Sequence, residues 1–284
     1  GSEGLHRTGL EMILIGERIN GMFSDVKRAI ADKDEAVIVE LARKQQQAGA
    51  AYLDINVGTA ASDQHETMRW LVETVQKSCD AGLCLDSQKP DVIAAGLKAV
   101  KPGSRVLLNS APLNRKNDEA ILDKYMDMAD SVQPAACLIA LCMNTDGVPQ
   151  NIDNRVAIAA EIVQHAMERS FDTQRLFIDP IVLPVKVPNA QVQAGNVLAA
   201  MEQIRYLADP PPHITMGLSN LSQGASERSL INRVFLAMAV SRGADSAIAD
   251  VFDRRLINAL AAAELLMNRQ LYSDSFLKVY RNHH

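Results

Sequence analysis

The sequence contains no uninterrupted apolar stretch approaching the roughly 20 residues that span a bilayer, so no membrane helix is expected. It has no block of Lys or Arg, and its formal net charge is −5 at pH 7. Neither nucleic acid nor an anionic membrane has an electrostatic reason to bind it. From Met12 onward there is no charged, then apolar, then small pattern of a secretory signal, and a cytoplasmic location is expected. Cysteine is scarce: Cys79, Cys84, Cys137 and Cys142 form two pairs with four residues between. Zinc ribbons use tighter C-x2-C pairs, so reduced, buried thiols are expected instead. The opening "GERING" is not G-x-G-x-x-G, which removes the phosphate-cradling turn of an open dinucleotide-binding sheet.

What is present is an ordinary globular composition, 48% hydrophobic and 22% charged over 284 residues. That length fits two average domains or one large barrel. Residues 1–11, "GSEGLHRTGLE", read as an expression scar, and residues 12–284 as one domain. Eight short apolar runs recur along the chain. They are "MILIGERIN" from Met12, "AYLDINVG" from Ala51, "LCLDS" from Leu83, "RVLLNS" from Arg105, "ACLIALCMN" from Ala136, "LFIDPIVLP" from Leu176, "ITMGLSN" from Ile214 and "SAIADVFD" from Ser246. Near-continuous apolar runs of this length suit strands covered on both faces, as in a parallel sheet.

The segments between them carry helical spacing. "DEAVIVELARKQQQAGA" places Val37, Leu41 and Ala48 on one side and reaches a C-terminal stop at Gly49. "NIDNRVAIAAEIVQHAME", "NAQVQAGNVLAAMEQIRYLA", "RSLINRVFLAMAVSRG" and "RLINALAAAELLMNRQL" read the same way. Alternation of eight strands with eight helices predicts an α/β protein, a single-domain (β/α)8 TIM barrel.

In such barrels the chemistry sits at the C-terminal ends of the strands. Those positions supply Glu17, Arg18, Asn20, Asp54, Asn56, Asp86, Ser87, Asn109 and Ser110, then Asn144, Asp146, Asp179, Ser219, Asn220, Asp250 and Asp253. The set is rich in carboxylates and amides and holds no histidine. His65 and His165 fall in helix patterns, and His213 precedes its strand, so no catalytic metal is expected. Lys89 and Lys186 lie past strand ends, a poor place for a Schiff-base lysine. Carboxylates and amides together suit a planar ligand that both donates and accepts, such as a 2-amino-4-oxo pyrimidine ring. Asp and Asn at strand ends also cap helices and fix turns, so any one position admits both readings. Six strand ends with the same chemistry favour a site.

Read in order, "LIGERING", "LDINVG", "LCLDS", "LLNSA", "MNTDGVP", "IDPIVLP", "GLSNLSQ" and "LINRVFLAMA" resemble the methyltetrahydrofolate:corrinoid protein methyltransferases of acetogenic and related anaerobic bacteria. The resemblance runs from about Met12 to the C-terminus, including "YSDSFLKVY" near the end. It implies a pterin-binding (β/α)8 barrel, a homodimer, and methyl transfer between N5 of methyltetrahydrofolate and the cobalt of a corrinoid on a partner protein. It implies that Asp86, Asn109 and Asp179 hold the pterin ring, and that Asn220 approaches N5 with Ser219 and Gln223 beside it. Asp179 becomes a candidate acid if burial raises its pKa. Two segments depart from the family: Gln88, Lys89 and Pro90 follow "LDS", and "VKVPNAQVQAGN" follows "VLP". The rival readings are a dihydropteroate-synthase-like pterin enzyme, which wants a "DPGxGF"-like segment, and a non-catalytic folate-binding subunit.

Overall fold

The apolar runs fold as short strands, and their polar punctuation starts helices. In the computed structural model, residues 10–59, 61–116, 119–188 and 190–269 are described. In chain order the elements are β1 (Ile13–Asn20), α1 (Ser24–Asp32), α2 (Glu35–Gln47), β2 (Tyr52–Asn56), α3 (Gln64–Val75), β3 (Gly82–Asp86) and α4 (Pro90–Leu97). There follow β4 (Val106–Pro112), β5 (Arg115–Lys116), β6 (Glu119–Ala120), α5 (Ile121–Asp130), β7 (Cys137–Leu141), α6 (Ile152–Glu168), β8 (Leu176–Asp179) and α7 (Gln193–Ile204). The last are β9 (His213–Ile214), α8 (Leu218–Leu221), α9 (Arg228–Ser241), β10 (Ser246–Ala249) and α10 (Arg254–Leu266). The eight-stranded sheet has the order β10-β1-β2-β3-β4-β7-β8-β9, the α/β topology of a (β/α)8 TIM barrel; β5 and β6 form a separate two-stranded pair. Packing divides the described chain into two compact units, residues 15–140 and residues 10–14 with 141–269.

In the unit 15–140, β1 to β4 pair in parallel. Leu53, Ile55, Leu83, Leu85, Leu107 and Leu108 are buried, each contributing about 1.5–3 kcal/mol by leaving water. Asp34 and Asp63 accept first-turn N–H groups of α2 and α3 and so start those helices. Gly21 and Gly58 bring two strand-end loops into contact: a Cβ on Gly21 would meet the Val57 carbonyl oxygen at 2.4 Å, and Gly58 has φ of +70°. The buried side of α2 is Ile38, Ala42 and Gln45: the first two follow the expected Val37 and Leu41 by one residue, and Gln45 takes the place expected of Ala48. The shift places the Gln45 amide oxygen 3.0 Å from the Arg18 N–H, beneath Gly16, whose missing side chain makes the room.

In the other unit, β8 and β9 pair in parallel, and His213 opens β9 stacked on Phe177. Its Nδ1 lies 2.7 Å from Asp245, so this histidine is occupied structurally. Glu264 of α10 is fully buried and accepts the backbone N–H groups of Glu11 and Met12, the latter at 2.6 Å; Leu10 is buried too. The run "ITMGLSN" keeps a regular ladder only over His213–Ile214. It then makes one bridge, Gly217 to Ile248, before turning into α8. Helices α1 and α8 and the β5–β6 pair lie outside the expected eight-plus-eight alternation. All four cysteines are free thiols. The "YSDSFLKVY" segment, His283 and His284, and residues 1–9 of the proposed scar fall outside the described residues.

Candidate functional site

Parallel register alone brings one polar row together. Asn20 pairs with Asn56, Asn56 with Asp86, and Asp86 with Asn109, so four neighbouring strands carry amide, amide, carboxylate, amide at one level. Asn56 Nδ2 donates to Asp86 Oδ2 at 2.7 Å. Asn56 Oδ1 accepts the Gly58 N–H, which fixes the direction of that amide. One layer deeper on β2, Asp54 is buried, and its Oδ1 accepts from Asn109 Nδ2 at 3.1 Å. Burial and the neighbouring Asp86 and Glu17 carboxylates push Asp54 well above the usual carboxylate range, while hydrogen bonds from Asn109 and Cys84 oppose them. Burial raises Asp86 as well, against hydrogen bonds from Asn56 and Asp54. Cys84, wholly buried beside the two acids, is held as a thiol chiefly by burial. Tyr125 of α5 closes the cluster by donating its hydroxyl to the Ser87 carbonyl at 2.9 Å.

The second polar cluster belongs to the other unit. Asp179 ends β8 with little exposure, and its Oδ1 accepts the Ile181 N–H at 2.7 Å. Ile181 has φ of +62°, a left-handed conformation that a β-branched residue adopts only under constraint. The constraint is visible. Arg155 of α6, fully buried, donates Nε to the Pro180 carbonyl at 2.7 Å and Nη2 to the Pro149 carbonyl at 2.8 Å. Burial pushes the Asp179 carboxyl up to about 6, against the Ile181 N–H and the Arg155 charge, which pull it down.

Ser219 and Asn220 lie on the single turn of α8, and Gln223 follows that turn. Asn220 and Gln223 are exposed, and Ser219 is half-buried. Gly217 sets the space: a Cβ there would stand 2.8 Å from Asn220 Nδ2, so the missing side chain is where the amide rests. Arg228 braces the segment from α9, with Nε 3.2 Å from Ser222 Oγ and Nη2 3.1 Å from the Ser219 carbonyl.

Other members of the expected ring are spent on their own backbone. Asn20, Asn144 and Asp250 each accept the N–H two residues on, and Asp253 caps α10. Of the six residues expected to form the site, Asp86 and Asn109 join through Asp54 in one unit. Asp179, Ser219, Asn220 and Gln223 belong to the other. Among the described residues, no group of three or more His, Cys, Asp or Glu is arranged to hold a metal ion. No described helix is long and apolar enough to cross a membrane.

Residues 17–250 match the family of pterin binding enzymes. The chain belongs to that family. A methylcorrinoid:tetrahydrofolate methyltransferase of Eubacterium limosum is 32% identical over 271 residues, covering 95% of this chain and 96% of its own. A methionine synthase of Mycobacterium tuberculosis is 27% identical over 244 residues, 84% of this chain but 20% of that longer protein. Among solved structures, a dihydropteroate synthase from Stenotrophomonas maltophilia superposes with a TM-score of 0.63 at 16% identity, over 90% of this chain and 93% of that one. At that identity the likeness is one of fold.

Two residues of this pterin-binding enzyme escape a reading of strand ends alone. Arg155 sits on a helix, but it occupies the same stripe as Ile158, Ala159 and Ile162, and a charged residue in an apolar stripe is a signal. Gly217 is marked only by preceding the polar turn.

Proposed function

We propose that this chain is a methyltransferase that moves a methyl group between N5 of methyltetrahydrofolate and the cobalt of a corrinoid carried by a partner protein. The observation that carries the reading is the near-full-length match to the methylcorrinoid:tetrahydrofolate methyltransferase of Eubacterium limosum. The polar clusters support it. Asp86 is an acceptor suited to the amino-amidine edge of a pterin, and Asn109 is an amide suited to a lactam edge; for Asp179, in the other unit, we propose a ring-holding role as well.

The corrinoid supplies the nucleophile that takes the methyl group, or the methyl donor in the reverse direction. The chain's own task is the leaving nitrogen. As the carbon–N5 bond breaks, its electron pair stays on N5, which must gain a proton or a strengthening hydrogen bond. Only a contact that tightens in the transition state accelerates that step. Asn220, an exposed amide on a short turn, is free to rotate with N5, with Ser219 and Gln223 beside it. We assign the proton to Asp179, whose carboxyl burial keeps a proton to higher pH than usual. In the reverse direction the same groups accept it.

We further assign the enzyme to the cytoplasm of an anaerobic bacterium, in keeping with its free thiols. We also propose a homodimer. Leu230, Val234 and Met238 recur every fourth residue of α9 and are about half exposed, an apolar stripe that a second copy would cover. Chromatography with light scattering tests the dimer, and a monomeric mass overturns it. The transfer itself is tested by the visible spectrum of reduced cobalamin, free or protein-bound, on mixing with enzyme and methyltetrahydrofolate. Methylation of the cobalamin is expected, and no spectral change in either direction overturns the function.

A further inference from the structure

The deepest acid of the polar row has two jobs that a carboxylate cannot perform together. Asp54 Oδ1 receives the Asn109 Nδ2 hydrogen at 3.1 Å, so that oxygen is an acceptor. The same carboxyl lies beside that of Asp86, whose Oδ2 is already an acceptor for Asn56. Two ionised carboxylates have four acceptor oxygens and no hydrogen between them. One proton resolves the contact, and it belongs on the acid farther from water: Asp54 is 3% exposed, while Asp86 is half-buried at the strand end.

We infer that Asp54 is a neutral aspartic acid and a positioning residue, accepting from Asn109 and donating to Asp86, so that both groups are held in one orientation. The inference rests on the proposed role of Asp86 and Asn109 in holding the pterin. Every charged group facing Asp54 acts in the same sense. Asp86 from β3 and Glu17 from β1 both favour its protonated form, as does burial; Cys84, on β3, is itself kept neutral. With Asp54 holding the proton, Asp86 remains the anion. Its lone pairs not used by Asn56 and Asp54 are left to accept ligand N–H groups. The Asn109 amide is held with its nitrogen inward, which leaves Oδ1 as its outward acceptor. Asp54 touches neither substrate nor reacting atom; it acts through these two side chains.

A neutral acid carries one donor and one acceptor, and so does an asparagine of the same shape. Asp54→Asn therefore mimics the proposed state and Asp54→Leu abolishes it. Methyltetrahydrofolate affinity is measured by calorimetry from neutral to alkaline pH for both variants and the wild type. Infrared difference spectra of ligand-free wild type against Asp54→Asn read the protonated-carboxyl band directly. At neutral pH Asp54→Asn binds within about threefold of wild type and Asp54→Leu at least about tenfold more weakly, as expected when a hydrogen bond to a charged group is lost. Wild-type affinity falls toward alkaline pH as Asp54 ionises, and Asp54→Asn lacks that fall. The wild-type spectrum shows a protonated-carboxyl band that Asp54→Asn lacks. Absence of that band overturns the inference, and so does an Asp54→Asn that binds as weakly as Asp54→Leu or keeps the alkaline fall. If Asp54→Leu does not fold, Asp54→Asn and the infrared band still decide. A wild type that shows the band but binds no methyltetrahydrofolate overturns the pterin reading and, with it, the orienting role; the position of the proton then stands.

Discussion

Replacing Asp179 by Asn separates what this carboxyl contributes to the reaction from what it costs the fold. Its pKa rises from an ordinary 3.8 to about 6 because it is buried at the end of β8. At ~1.4 kcal/mol per pH unit, that gap is about 3 kcal/mol against the ionised form in the folded protein. The sign follows from the raised folded value. Below about pH 3.8 both states are protonated and Asp179 carries no penalty. As pH rises, the unfolded chain releases its proton first, and stability is lost until the folded group ionises above about 6. At pH 8 the whole penalty of about 3 kcal/mol is present, and at pH 5 roughly half of it. Asp179→Asn removes the titration but keeps an oxygen to accept the Ile181 N–H. The constant part of exchanging oxygen for amide cancels when one variant is compared with wild type at two pH values. Urea unfolding at pH 5 and pH 8 should therefore show the stability of the variant, relative to wild type, rising by about 1.5 kcal/mol at the higher pH. A difference that is constant or shrinks with pH refutes the reasoning.

Asn220→Ala should lower turnover about 100-fold to 1,000-fold while leaving methyltetrahydrofolate affinity nearly intact, the pattern of a contact made in the transition state. Unchanged single-turnover methyl transfer would sink that role. Gly217→Ala places a methyl group where the Asn220 amide rests and should lower kcat toward the Asn220→Ala level with a normal circular dichroism spectrum; wild-type kcat would show that the amide does not use that place. Asp86→Ala and Asn109→Ala should chiefly weaken binding, and an unaltered tetrahydrofolate titration would count against both. Arg155→Met strips the Pro149 and Pro180 carbonyls of their donors and should cost about 2–4 kcal/mol in urea unfolding. A loss below about 1 kcal/mol would mean that the loop after Asp179 is held by other contacts.

The fold was legible because a strand covered on both faces has to be apolar along its length, and β2, β3 and β4 leave little room for another reading. The end of the seventh run was less so. "ITMGLSN" has the composition of a strand, but pairing after Ile214 narrows to the single bridge at Gly217, and backbone geometry decides where pairing stops. The α2 face was misjudged because one of its buried residues is a glutamine, Gln45, chosen by the β1 backbone it bonds and not by hydrophobicity. In the polar row, strand ends could be read from the sequence, but register could not. Register makes Asp86 and Asn109 neighbours and reserves Asn20 for its own turn. The demand for a proton on Asp54 follows from hydrogen-bond partners that no spacing reveals.

The contact between Glu264 and the start of β1 has a consequence for the order of synthesis. The carboxylate that receives the Met12 N–H lies 252 residues later in the chain. At the roughly 5–20 residues per second of a ribosome, about 10–50 s separate the two ends of that bond. Residues 15–140 finish emerging well before, so their core can condense while the opening residues of the first strand wait without their final partner. The nascent chain therefore exposes the apolar residues Met12, Ile13 and Leu14 for most of its translation. Closing that segment is among the last events the fold completes.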